Sequence, residues 1–222
     1  RKDGMFTHLA TADVADTQFA QQQVSTFMRA VEQVRALEIE VRHVHISNSA
    51  SAIRRLDTGV GCTMTRVGIA MYGIPGDAAT NSFGAAHQLD LRPVMSVHAR
   101  ISHVQRVAAG QGVSYGLKRP LESDSTIATL PLGYADGIPR GIWESGSVLV
   151  NGTRRAFAGV VTMDQILVNC ANDAVSIGDE AVLIGAQGRE LITVNEWANK
   201  MGTIGYEIVC AISARMPRNY IN

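Results

Sequence analysis

The sequence predicts an α/β unit followed by a mostly-β unit. Two observations carry that prediction. Over roughly the first 85 residues, apolar periodicity alternates strand, helix, strand, helix, strand, the order that parallel α/β folds produce. From about residue 88 onward, extended runs punctuated by Gly, Asn and Asp take over. The expected units are residues 1–87 and 88–222.

In the first unit, residues 5–9 read as a short strand with His8 near its end. Residues 17–38 are the clearest helix: Val24, Phe27, Met28, Val31 and Val34 recur at helical spacing, with Gln, Arg and Glu between them. Residues 41–46, VRHVHI, alternate like a strand, NSAS breaks it, and Ser49–Leu56 reads as a short helix. Residues 64–72 read as another strand. Within TRVGIAMYG (65–73), Val67, Ile69, Ala70 and Met71 favour burial, whereas the guanidinium of Arg66 needs a partner there. Three strands are too few to close a sheet, so an upstream part of this fold is expected.

In the second unit, residues 93–107 alternate over a long stretch. The segments 126–134, 147–152, 155–170 and 180–185 follow as further extended runs. NGTR at 151–154 is a hairpin-type turn. Thr193 and Glu196 have capping-box spacing at the start of a helix over 194–201, which Gly202 stops. EIVCAIS suggests a second helix.

Bulk properties exclude several classes. The 222 residues are 46% apolar, enough for a substantial core. Zero net charge, with 20 basic and 20 acidic residues, argues against nucleic acid or an anionic membrane as the main partner. No run reaches 18 continuous apolar residues. Three cysteines, Cys62, Cys170 and Cys210, without short paired spacing read as reduced thiols in a cytoplasmic protein.

Two strand ends are candidates for chemistry. Asn48 and Ser49 follow one strand and open a helix, and Gly68 sits beside the other. In parallel barrels a phosphate often lies beyond two strand ends, held by loop amides and a helix N-terminus. Ser49 can donate its hydroxyl, and Gly68 lets the backbone come close. The plainer alternative is a helix N-cap at Ser49 and a packing glycine at Gly68. Arg66 has an alternative too, pairing with Asp57 or Asp90. His43 and His45 share a strand face and suit half of a zinc site, but no nearby ligand completes it. His45 is better placed to orient Arg66. In the second unit, GVSYG and LGYADG set Tyr115 and Tyr134 among small residues, which leaves room around each ring. VTMDQ puts Met163 and Asp164 in an apolar strand, where an acid is hydrogen-bonded or functional.

Taken in order, THLATAD, HISNSA, TRVGIAMYG, GVSYG, LGYADG, VTMDQ and GYEIVCAISARMPRNY resemble the alanine racemases, a pyridoxal 5'-phosphate family. The resemblance implies the C-terminal part of a (β/α)8 TIM-type barrel followed by a β domain. It implies a homodimer that interconverts L- and D-alanine for peptidoglycan precursors. Tyr115 matches the tyrosine base that handles the L-enantiomer on cofactor held by the other subunit. Arg66 matches the arginine at the pyridine nitrogen, and His45 the histidine behind it. Ser49, Tyr206 and the amides of Gly68 and Ile69 match the phosphate grip. His8 matches a histidine near the ring and the tyrosine base. Met163 matches the residue whose amide meets the substrate carboxylate, and Tyr134 a tyrosine lining the substrate entrance.

One departure is serious. The family's cofactor-bearing lysine, which is also its second base, lies in a motif like VKANAYG, and nothing here matches it. Lys2, Lys118 and Lys200 are the only lysines. The carboxylate-binding arginine that precedes THLATAD in the family is also missing, unless it lies near Arg1. The chain therefore reads as a fragment, inactive alone. A non-catalytic cofactor-binding half, or a metal-dependent barrel hydrolase using His43 and His45, are the alternatives.

Overall fold

The computed structural model describes residues 3–57, 59–75, 82, 84 and 89–221 of the chain. Two compact units emerge, Arg1–Val94 and Met95–Asn222. The boundary expected at 87/88 lies outside the described residues, as do Arg1 and Lys2.

In the first unit, β1 (Gly4–Phe6) pairs in parallel with β2 (His43–His45), with Phe6 opposite His45. Between them runs α1 (Gln18–Ala36), which buries Ala20, Val24 and Val31. Phe27 and Met28 pack against the same core, so the helical stripe in the sequence is the buried face. The cap differs from a simple Thr17 cap: Asp16 Oδ1 accepts from the Gln18 amide at 2.9 Å. Strand β2 leads into α2 (Ser49–Ile53).

The strand expected over 64–72 is corrected. Residues 61–68 have no regular assignment, and Ile69–Tyr72 is a 3-10 turn. The segment does run beside β2: the Thr63 amide donates to Val44 O at 2.8 Å and the Arg66 amide to Ser47 O at 3.0 Å. The ladder fails because the Val44 amide bonds the Thr63 hydroxyl, at 3.0 Å, instead of a carbonyl. Gly68 (φ −119, ψ −95) then leaves the extended path, and Gly73 at φ 72 closes the turn. A side chain at Gly73 would also meet Arg92 O at 1.8 Å. The expected burial is corrected with it: Ile69 is buried, but Val67 and Met71 are exposed.

The second unit is built from antiparallel sheets. Strand β3 (Val97–Arg100) pairs with β9 (Glu180–Gln187), which also pairs with β6 (Ser147–Val150) and β10 (Glu190–Ile192). Strand β6 forms a hairpin with β7 (Thr153–Ala156) across Asn151 and Gly152, at φ 51 and 72. Two left-handed residues in a two-residue loop are what the NG signal requires. A second sheet orders β4 (His103–Val107), β5 (Ser125–Leu130) and β8 (Ile166–Asn169). The long alternating run after residue 93 thus divides between two sheets at Ile101 and Ser102.

Helix α3 (Val194–Met201) has its Thr193 cap, bonding the Glu196 amide at 3.0 Å, and its left-handed Gly202 stop. Helix α4 (Gly205–Ala211) follows. The Glu196 carboxylate does not close a capping box. It takes Arg154 at 2.8 and 3.0 Å and Lys200 at 2.9 Å, and Arg154 also reaches Glu190 at 2.8 Å. Burial opposes the charge on Glu196, but bonds from Arg154 and Lys200 prevail and hold its carboxyl below the usual range. A depressed carboxyl contributes stability above its unfolded value, about 4.3, and loses it as pH falls through the folded value. Arg154→Met is therefore expected to lower Tm by roughly 2–4 °C at pH 7, about 1 kcal/mol for a partly exposed pair. In acid, below the folded value, the gap from the parent should close. Thermal melts at both pH values check it, and a gap that persists in acid refutes it.

Candidate active site

Strand pairing assembles one cluster in the first unit. The Phe6 ring stacks on His45, with centroids 5.3 Å apart and planes 7° from parallel. The Arg66 guanidinium lies 5.3 Å from the Phe6 centroid and fans out over several acceptors. Its Nη1 meets His45 Nδ1 at 2.5 Å. Its Nη2 donates to Thr7 O at 3.0 Å and approaches His8 Nδ1 at 3.2 Å and Ile46 O at 3.4 Å. Neither suggested acid holds it: Asp57 accepts from Ser47 at 2.5 Å, and Asp90 pairs with Arg92 at 2.6 Å. Burial, then the Arg66 charge, then His43 push His45 below the ordinary imidazole range. His45 is therefore neutral and accepts from Arg66 through Nδ1, which places its proton on Nε2.

Beside this cluster lies a small oxygen-donor cradle. The helix cap is Asn48, not Ser49: Asn48 Oδ1 accepts from the Ser51 amide at 3.0 Å, and Ser51 Oγ takes the Asn48 amide at 2.8 Å. Ser49 is thereby freed from capping. Its Oγ, on a residue only 3% exposed, accepts from the Gly68 amide at 2.9 Å and the Ala70 amide at 3.3 Å. With both lone pairs engaged, its single O–H points elsewhere as a donor. Gly68 is not a packing glycine either, since the nearest atom to an added Cβ is Ser49 Oγ at 4.0 Å. Ile69 opens the 3-10 turn with its side chain buried.

The remaining expected residues lie in the second unit. Tyr115 is 75% exposed, on a turn in which Ser114, Gly116 and Leu117 have φ 66, 74 and 44. Two non-glycine residues in left-handed backbone mark stored strain, the kind found at functional positions. Ser114 Oγ, donating to Val160 O at 2.8 Å, fastens the turn. Gly159 permits the approach, because a Cβ there would meet Val113 O at 2.5 Å. Met163 and Asp164 lie in a bend, not inside a strand, because Thr162 closes a tight turn on Gln165. Asp164 is accounted for by Arg215 at 2.7 Å. The amides of Tyr134 and Ala135 donate to Thr162 O and Met163 O at 2.9 and 3.1 Å, locking that bend to the Tyr134 turn. Tyr134 also edges a cavity of about 500 Å3, with Arg140, Met201, Thr203 and Glu207. Tyr206 stands in the first turn of α4 and is 41% exposed.

Phe6 and Thr7 join the first cluster without any signal in the sequence. The Asn48–Ser51 spacing was a readable cap signal; the others act through bonds that no local pattern announces. Among the described residues, no three His, Cys, Asp or Glu side chains gather to hold a metal ion. No helix among them is long and apolar enough to cross a membrane.

Residues 1–75 match the family "Alanine racemase, N-terminal domain", and residues 94–220 match "Alanine racemase, C-terminal domain". The chain is 39% identical over 218 residues to the alanine racemase of Salinispora arenicola, covering 98% of this chain and 56% of that protein. It is 40% identical over 221 residues to that of Halothermothrix orenii, covering 99% and 56%. The crystal structure of the Bacillus anthracis alanine racemase with bound L-Ala-P aligns with TM-score 0.91 and 36% identity, over 99% of this chain and 55% of that one. The Streptomyces coelicolor enzyme aligns with TM-score 0.92 and 37% identity, over 100% and 57%. The fold is of the class that joins a TIM-type barrel to a β domain, in a family that depends on pyridoxal phosphate. The chain spans a little over half the length of the relatives it matches. It belongs to the alanine racemase family.

Proposed function

We propose that this chain is the larger part of a cytoplasmic, homodimeric alanine racemase that interconverts L- and D-alanine and supplies D-alanine for cell-wall precursors. The observation that carries the reading is the Arg66 cluster next to the Ser49 hydroxyl. The residues fit pyridoxal phosphate. Arg66 offers a guanidinium that no carboxylate among the described residues occupies, backed by a neutral His45. Ser49 retains an O–H donor, and the backbone at Gly68 leaves open space. In this reading Arg66 bonds the pyridine nitrogen without giving up its proton, because arginine stays charged. Ser49, Tyr206 and the Ile69 amide hold the phosphate, and the Gly68 amide, bonded to Ser49 Oγ at 2.9 Å, holds that hydroxyl in place. The cofactor, when bound, supplies the electron sink that acidifies Cα.

Tyr115, offered by the partner subunit, removes or returns the Cα proton on one face, assisted by His8. The Met163 amide meets the substrate carboxylate, and Tyr134 lines the way in. The family's lysine has no counterpart in the described part of this chain. Lys200 is paired with Glu196 on α3, and Lys118 follows the Tyr115 turn. A second reading is a cofactor-binding half that is not itself catalytic.

Circular dichroism of L-alanine separates the two. With pyridoxal phosphate, the chain alone is expected to leave the signal unchanged. Co-expression with the preceding segment of the Halothermothrix orenii relative should make it decay. An assembled preparation that binds the cofactor yet leaves L-alanine untouched would overturn the racemase reading.

A further inference from the structure

Gln23 lies on the α1 face that meets the segment after β1, outside every residue assigned above. Its amide is used completely and in one orientation. Oε1 accepts from the Ala10 amide at 3.1 Å. Nε2 donates to His8 O at 2.8 Å and to Thr7 Oγ1 at 3.0 Å. Flipping the amide would set N–H against N–H and oxygen against oxygen, so the orientation is fixed. One helical residue thus binds the backbone at His8 O and at the Ala10 amide, and the Thr7 hydroxyl before them. Its neighbour Val24 packs in the same core cluster as Leu9, the residue after His8.

The His8 side chain has no comparable anchor of its own. It is exposed, and its ring contacts are Arg66 at 3.2 Å and Asn48 at 3.4 Å, the second too long for a firm bond. Ring placement therefore depends on the backbone that carries it. Arg66 also bonds this segment, at Thr7 O, so Arg66 holds the carbonyl before His8 and Gln23 the carbonyl of His8 itself.

We propose that Gln23 is a positioning residue for His8: its carboxamide fixes the 7–10 backbone so that the imidazole stays within reach of Arg66. The consequence for proton transfer rests on the racemase reading; the positional claim does not. Glu at this position keeps an oxygen for the Ala10 amide but turns the donor facing His8 O into an acceptor.

The test is Gln23→Glu, with Gln23→Met as the second variant should the first not fold. In 15N-histidine-labelled chain, the His8 ring resonances are expected to move while those of His98 and His103, in the other unit, stay put. In Gln23→Met, which removes the acceptor as well, the Ala10 amide should exchange at least about tenfold faster, the loss expected for one hydrogen bond. In the reconstituted, cofactor-loaded enzyme, α-deuteron loss from L-alanine should fall about tenfold, with that from D-alanine held within about twofold. A merely structural residue would lower both equally. Unmoved His8 resonances, or equal loss from both enantiomers, overturns the proposal. If the parent protein releases no α-deuteron from either enantiomer, the racemase reading fails, and the His8 resonances and Ala10 exchange alone decide the role of Gln23.

Discussion

Replacing Tyr115 by Phe in the reconstituted enzyme is expected to stop α-deuteron loss from L-alanine and leave that from D-alanine running. The size of the loss follows from general-base catalysis, about a hundred- to ten-thousand-fold. The structure makes the variant a clean one. The ring is 75% exposed, and the turn beneath it is held by the Ser114 hydroxyl on Val160 O and by the close approach at Gly159. None of these contacts involves the phenol oxygen, so Tm should change by less than about 1 °C. Mass spectrometry of recovered alanine reads both enantiomers in parallel. Equal loss from the two would mean that Tyr115 does not act on one face, and the assignment would be abandoned.

A large effect on stability is expected at Gly133. A Cβ there would sit 2.1 Å from Thr162 O and 2.5 Å from Met163 O. Both obstacles are backbone, and both carbonyls are fixed by the amides of Tyr134 and Ala135. The Asp136 carboxylate, bonded to the Gly133 amide at 2.8 Å, holds the other side of the same turn. Nothing flexible can yield, so Gly133→Ala should cost about 3 kcal/mol, the upper end for overpacking. For a domain of this size that lowers Tm by roughly 6–12 °C. Because the clash pushes the Met163 bend away from the Tyr134 turn, alanine affinity should weaken as well. Calorimetry decides the first part: a Tm within about 2 °C of the parent would show that the two turns separate freely.

Much of the fold was legible because its signals are local. The stripe from Val24 to Val34 places one face of α1 in the core; Asn151 and Gly152 supply the left-handed pair their hairpin needs; Thr193 and Gly202 bound α3. Each depends on residues within a few positions of one another. The expected third strand failed for a reason no window could contain. The Thr63 hydroxyl takes the Val44 amide, a substitution between residues 19 apart that interrupts the ladder. Met163 and Asp164 were misread for a similar reason: the apolar run around them hides a turn that Thr162 closes on Gln165.

The sequence by itself determined which family the chain resembles, because ordered short motifs survive in the chain whatever surrounds them. It also determined that Arg66 needs a partner, since a guanidinium is costly to bury alone. It offered His45 as that partner, with Asp57 and Asp90 as alternatives, and only the tertiary structure decided between them. His45 and His8, 21 and 58 positions away, converge on Arg66 through the parallel register of β1 and β2. It likewise decided that Asn48 caps α2 and leaves Ser49 free, and that Gln23 holds the backbone of His8. Such bonds close over long stretches of chain, and their geometry is set by packing and strand register, which local propensity does not encode.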